Sequence, residues 1–406
     1  MPYRRTTVIL LVTFFSLLLI PAHADTGESM PQQEASKPES PSAGTSAASA
    51  SASVGTAAGA PPTSTAAGDE PAAGKTPVPD KVPVAAGGVK TIILKPGDKI
   101  PERKHPEYED WSTPYLPKSM KGDVVVLAKA ERDHFTRELV HVQWREMDPI
   151  DLYVIRPKGI QKPPVILYLY GFPTNNAHFK HDDFCEELTK DGFAAVGFVS
   201  AVTGQRFHDR PGRQWFVSEL QEGLGSTVHD VQLILNYLDR RGDFDMSRVG
   251  MWGVGSGASI AIMAAAVDPR IKVLDLLNPW GDWPDWLAKS SIIPKEERPI
   301  YVTPFFLGTV KDLEPVEWLP QLKDRQVRLQ FISEGMTVTP PEAKQRLQAA
   351  APANVEIVHY QNAQEFAEKV DSGGRRFDWI KHQLATSGEV REANNPASQD
   401  KSARQR

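Results

Sequence analysis

The stretch Arg248-Val249-Gly250-Met251-Trp252-Gly253-Val254-Gly255-Ser256-Gly257-Ala258 decides the reading of this chain. An apolar run passes into a glycine cluster and then into a helical pattern that continues to Val267, which predicts a buried strand, a sharp turn and a helix. In a G-x-S-x-G turn of this kind the middle serine is held out as a nucleophile, and the flanking glycines leave no Cβ to collide with neighbouring backbone. Setting Gly253 and Gly257 on the two outer glycines puts Gly255 in the serine's place and Ser256 one position later. Glycine has no atom that can attack a carbonyl.

Outward from this turn, short apolar runs alternate with helical ones. Strands are predicted at His134 to Val142, Ile150 to Arg156, Val165 to Tyr170, Ala194 to Val199, Val249 to Gly253, Val273 to Leu277, Val327 to Ser333 and Val355 to Tyr360. Helices are predicted at Asp182 to Asp191, Thr227 to Arg240, Gly257 to Val267, Pro340 to Ala350 and Gln364 to Leu384. Runs such as Val165-Ile166-Leu167-Tyr168-Leu169-Tyr170 are apolar at every position, as strands buried on both faces of a parallel sheet are. The alternation predicts a doubly wound α/β domain of eight mostly parallel strands over residues 89–387. One insertion, about 279–325, is far longer than the few residues of an ordinary connection. It carries Trp280, Trp283, Trp286 and Trp318, and over the carboxyl end of the sheet it would form a lid. Its rings either stack on a ligand or pin an irregular, proline-rich loop to the core.

The chain has 406 residues and opens with Arg4 and Arg5, the apolar run Val8 to Ile20 and the small-residue site Ala22-His23-Ala24. These are the parts of a secretory signal peptide spanning 1–24, and the apolar run is shorter than the roughly 20 residues that span a bilayer. Residues 25–88 are dominated by Ala, Ser, Thr, Gly and Pro and bury too little apolar surface to offset the entropy of ordering, so a disordered linker is expected there. A polar tail is expected over 388–406. The only cysteine, Cys185, excludes an intramolecular disulfide, and export without disulfides suits a bacterial periplasm. A net charge of −5 without a basic cluster argues against nucleic acid as a partner. No stable membrane insertion is expected once the signal is removed.

Three segments resemble the α/β-hydrolase superfamily, in the branch of dienelactone hydrolases, acetyl xylan esterases and prolyl-oligopeptidase-type domains. They are Val165 to Pro173, similar to the oxyanion loop, Asp230 to Gly257, which leads into the elbow, and the strand pair Phe331-Ile332-Ser333 and Val358-His359-Tyr360. The resemblance implies an eight-stranded hydrolase fold with a catalytic serine, acid and histidine. Each station departs from it: Gly255 stands for the nucleophile, Thr337 falls where the acid is due with Glu334 the only nearby carboxylate, and Gln364 falls where the histidine is due. Serine attack needs an imidazole to take its proton and an acid to orient that imidazole.

Other constellations are weaker. Ser256 with His359 and Glu334 would be a substitute triad, but His359 lies inside a predicted strand. Cys185 reads as a buried thiol, and His178, His181, Asp182 and Asp183 read as a helix start more readily than as a metal site. His208-Asp209-Arg210 and His229-Asp230 read as caps or ion pairs at a loop and a helix start. The sequence therefore predicts an exported hydrolase-fold protein without cofactor or metal that binds a small molecule or a protein partner. The candidate binding residues are Gly171, Phe172, Ser256, Trp280 and Trp283. The alternative is a divergent serine hydrolase, an esterase or peptidase, working through Ser256 or a site the sequence does not reveal.

Overall fold

The computed structural model describes residues 109–393, apart from 118–119, 121, 146–147, 173, 175, 203–215, 336–337 and 373–374. The expected signal and linker, His208-Asp209-Arg210, Thr337 and the tail beyond residue 393 lie outside the described residues. Nine strands are β1 (Asp123–Glu131), β2 (Phe135–Gln143), β3 (Ile150–Pro157), β4 (Pro164–Leu169), β5 (Ala194–Gly197), β6 (Asp245–Val254), β7 (Ile271–Leu277), β8 (Gln326–Ile332) and β9 (Glu356–Tyr360). They form one sheet in the order β1-β2-β3-β5-β4-β6-β7-β8-β9. The first three pairings are antiparallel, and every pairing from β5 through β4 to β9 is parallel.

The mostly parallel α/β sheet is as expected, with a ninth strand added at one edge. β1 carries Val125 and Leu127 exposed to more than half their surface and buries little on either face, so its sequence has neither the alternation nor the buried run that marks a core strand. The central strands behave oppositely: every residue of β4 is buried.

The helices are α1 (Asp182–Thr189), α2 (Leu220–Arg241), α3 (Ser256–Val267), α4 (Trp283–Lys289), α5 (Arg298–Tyr301), α6 (Pro304–Val310), α7 (Pro315–Trp318), α8 (Pro341–Ala350), α9 (Ala363–Phe366) and α10 (Asp378–Ala393). One core packs α2, α3 and the lid on one face of the sheet, and a second packs α1 and α10 on the other. α3 is apolar on all sides because it is enclosed by β6 and β7, by α2 and by α7 of the lid.

Two helices differ from expectation. α2 begins seven residues before Thr227, so His229 and Asp230 lie within it and not at its start. The breakers in its first turns are deliberate: a Cβ on Gly225 would collide with the carbonyl of Trp111, where the N-terminal strap of residues 109–117 crosses the helix. The long helix expected from Gln364 to Leu384 is broken. α9 runs into a π-turn at Ala367–Asp371, and α10 starts only after the pair Gly373-Gly374, residues that oppose helix propagation. No helix among the described residues is long and apolar enough to cross a membrane.

Candidate functional site

The turn between β6 and α3 is a single residue. Gly255 has φ +56° and ψ −121°, backbone that side chains adopt only under strain. Its N–H donates to the Leu277 carbonyl at the end of β7, at 2.9 Å, and its carbonyl accepts from Ala258 and Ser259 in the first turn of α3. A Cβ on Gly257 would collide with the Leu169 carbonyl at the end of β4, so the glycines let the elbow sit directly on neighbouring backbone. Gly255 thus occupies the apex of the turn.

Trp280 lies against it: its Nε1 is 3.2 Å from where a Cβ of Gly255 would be. The Trp280 backbone is pinned to α3 by the Ser259 hydroxyl, which accepts from its N–H and donates to its carbonyl, both at 2.8 Å. The Trp280 ring packs in turn against Trp286 at 4.7 Å. Ser256 is fully buried, and its Oγ accepts the backbone N–H of Phe172 at 3.1 Å. The loop after β4 that carries Gly171 and Phe172, similar in sequence to an oxyanion loop, therefore has one of its amides already engaged by a side chain. Among the described residues no histidine hydrogen-bonds Ser256.

The remaining stations are dispersed. His359 is exposed on β9, the far edge strand, stacked on Phe331 at 5.8 Å. Glu334 is exposed, with its N–H on the Gln361 carbonyl at 2.7 Å, and Gln364 is exposed and bonded to Glu368 at 2.9 Å. The candidates outside the elbow are structural. The Cys185 thiol donates to the Phe179 carbonyl at 3.2 Å, and burial pushes its pKa up. Asp182 is held by Arg132 and Arg137, and His178 packs edge to face on Tyr170 at 4.2 Å. Burial, with Arg376 and His181 nearby, pushes the His178 imidazole down to about 3. His229 bonds Glu109 at 2.7 Å and the Thr113 carbonyl at 2.9 Å, while Asp230 takes Arg145 and Trp144. No group of three or more His, Cys, Asp or Glu among the described residues could hold a metal ion.

Of the candidate binding residues, Gly171, Phe172, Ser256 and Trp280 gather at the elbow. Trp283 faces elsewhere: it lines a cavity of about 950 Å3 on the lid, with its Nε1 bonded to the Leu313 carbonyl at 2.9 Å. That cavity also contains Asp282, Glu314 and Arg346, which sequence reasoning missed. Glu314 is buried and its carboxylate accepts three backbone N–H groups, those of Asp282 and Trp283 at 2.7 Å and of Val316 at 3.1 Å. Nothing in the sequence links residues so far apart; only the Glu-Pro start of α7 hints that Glu314 caps a helix.

No family model matches the sequence. The chain is 26% identical over 176 residues to "Putative hydrolase YtaP" of Bacillus subtilis, covering 39% of this chain and 58% of that protein. It is 28% identical over 118 residues to an uncharacterized 31.7 kDa protein of the traX-finO intergenic region of Escherichia coli, covering 29% and 38%. It therefore spans less than two thirds of the length of either relative. An acetyl xylan esterase from Paenibacillus sp. R4 superposes with a TM-score of 0.48 at 16% identity, over 60% of this chain and 83% of that one. For the Pyrococcus horikoshii acylaminoacyl peptidase the TM-score is 0.43 at 13% identity, over 65% and 49%. By the order and direction of its strands and by the glycine-flanked elbow at the end of its central strand, the chain is an α/β-hydrolase-fold protein.

Proposed function

We propose that this chain is an exported protein that uses the α/β-hydrolase fold to bind a small molecule or a protein partner and carries out no acyl transfer at its elbow. The observation that supports this most is the pairing at the turn: glycine at the apex, and the neighbouring Ser256 hydroxyl on the Phe172 amide that would otherwise stabilise an oxyanion. Loss of a complete triad lowers turnover by about six orders of magnitude, and the residue left over water depends on free oxyanion donors. Here one such donor is already occupied.

Treatment of the purified protein with a serine-directed fluorophosphonate tests the reading. No adduct is expected. An adduct on Ser256 that disappears in Ser256→Ala would overturn it. Export rests on the sequence of residues 1–24, and the mature protein is expected to begin at Asp25; intact mass of the cellular product reads this directly, and a retained Met1 rejects it.

A second reading, a divergent esterase or peptidase acting through Ser256 or another group, is favoured by the likeness to a relative named as a hydrolase. It needs Ser256 to exchange the Phe172 N–H for an incoming carbonyl and to find a base. The same labelling experiment separates the two.

A further inference from the structure

The strap of residues 109–117 is seated on one stripe of α2. Gly225, His229 and Gln232 are spaced so that they share a helix face, and each meets the strap. The Trp111 carbonyl sits against Gly225. Gln232 donates through Nε2 to the Pro114 carbonyl at 2.8 Å, and its Oε1 accepts the Leu116 N–H at 3.3 Å. Between them the fully buried His229 meets Glu109 Oε1 through Nδ1 at 2.7 Å and the Thr113 carbonyl through Nε2 at 2.9 Å. Thr113 and Tyr115 line the lid cavity of about 950 Å3, and there Tyr115 packs edge to face on Trp318 at 6.0 Å. The strap is therefore part of the wall of that cavity, and His229 helps to hold it in place.

Both partners of this imidazole are acceptors. A carbonyl oxygen has no proton to give, and the Glu109 carboxyl, held down at about 2 by His229 and Arg145 against its burial, is ionised and only accepts. A neutral ring has one N–H and one lone pair, so it satisfies one partner and turns its lone pair on the other. An imidazolium satisfies both. The carboxylate is the stronger acceptor, so a ring that gives up one proton keeps the one on Nδ1 and presents a bare Nε2 to the Thr113 carbonyl. The charged groups around the ring are Glu109 and Asp110 on the strap, Asp230 next to it on α2, and Arg145 after β2 with Asp148 at 3.8 Å from it. Arg145 bonds both Glu109 and Asp230, so the Glu109 end of the strap stays anchored when the ring changes state. We infer that His229 is a pH-sensitive latch on the strap: with both ring protons it seats Thr113 and completes the cavity wall, and loss of the Nε2 proton to solvent frees Thr113 and Tyr115. Seating uses the protonated ring, so it is favoured in mildly acidic solution and lost as the pH rises.

The latch goes beyond the binding function and does not rest on it. Hydrogen exchange of the full chain, corrected for the intrinsic pH dependence of amide exchange, is followed over residues 111–117 from about pH 5.5 to about pH 8.5. The ring nitrogen signals of His229 are recorded over the same range in an isotopically labelled sample. At the acid end both ring nitrogens are expected to carry protons. Protection of the strap is expected to fall about tenfold or more as the Nε2 proton is lost, while α3 keeps its protection. His229→Gln, whose side chain does not titrate, is expected to remove the pH dependence. Strap protection that does not change with pH, a neutral ring beneath a protected strap at the acid end, or a His229→Gln strap that opens over the same range overturns the proposal. The first two outcomes are read on the wild type, so they decide the matter even if His229→Gln does not fold.

Discussion

Two sets of buried acids in this molecule are pulled in opposite directions. On the N-terminal strap, burial pushes the Glu109 carboxyl up, but His229 at 2.7 Å and Arg145 at 2.5 and 2.6 Å outweigh it and hold the carboxyl down at about 2. On the lid, burial wins: Glu314 is raised despite three backbone N–H donors, and Asp282 is raised despite Arg346. The strap acids have their counter-charges built in and serve to bind residues 109–117 to α2. The counter-charge on Asp282 is Arg346 at 3.0 Å, whose side chain is 61% exposed. Burial of a carboxylate therefore says little by itself, and it has to be weighed against the charge beside it.

The largest effect should come from breaking the strap. Arg145 bonds Glu109, Asp230 and the Ser226 carbonyl, so Arg145→Met takes the guanidinium from two buried acids and leaves them only His229 and Trp144 of the partners named above. Removing one partner of a buried pair costs about 3–5 kcal/mol, and a smaller loss is expected for the Arg346–Asp282 pair, whose arginine side chain is 61% exposed. Urea unfolding of Arg145→Met beside Arg346→Ala measures both. Equal losses would erase the distinction between the two sets.

The pH dependence of stability separates them next. With a folded pKa of about 2 against an ordinary 4.5, Glu109 stabilises the fold above pH 4.5, and its contribution disappears as the pH falls through that window. After allowance for solvent screening it is worth about 2 kcal/mol at neutral pH. Asp282 has the opposite sign. Its folded pKa lies above the ordinary 3.8, so the folded state holds the proton more tightly and ionisation weighs against folding as pH rises past that value. The stability difference between wild type and Glu109→Gln should therefore grow from acid to neutral pH, while that between wild type and Asp282→Asn should move the other way. Parallel slopes would mean that Arg346 outweighs the burial of Asp282.

What the sequence revealed follows the same division between local and distant causes. β4 and β6 were readable because their inner stretches carry only apolar residues and glycine, β7 because a single acid, Asp275, interrupts its apolar run, and the elbow because its glycines lie within five positions. The start of α2 was not, since Gly223 and Gly225 look like breakers until Val202 is seen to pack against the first and the strap to cross the second. Nor was the lid acid site: Glu314 acts on backbone 32 residues away, and the conformation of Asp282 depends on what packs around it. Ser259 passed as a helix residue, although it fixes Trp280 over the apex.

The smallest effect is expected where a hydroxyl is added at the elbow. Gly255→Ser restores the missing letter of the elbow, at a φ of +56° that costs a serine about 1–3 kcal/mol. The new side chain would emerge against the Trp280 indole, beside a Phe172 amide bonded to Ser256 and with no imidazole among the described residues to take its proton. A hydroxyl without a base is a poor nucleophile, and turnover of p-nitrophenyl acetate should rise by less than about tenfold. A gain of about a thousandfold would require a base and a free oxyanion donor at the elbow.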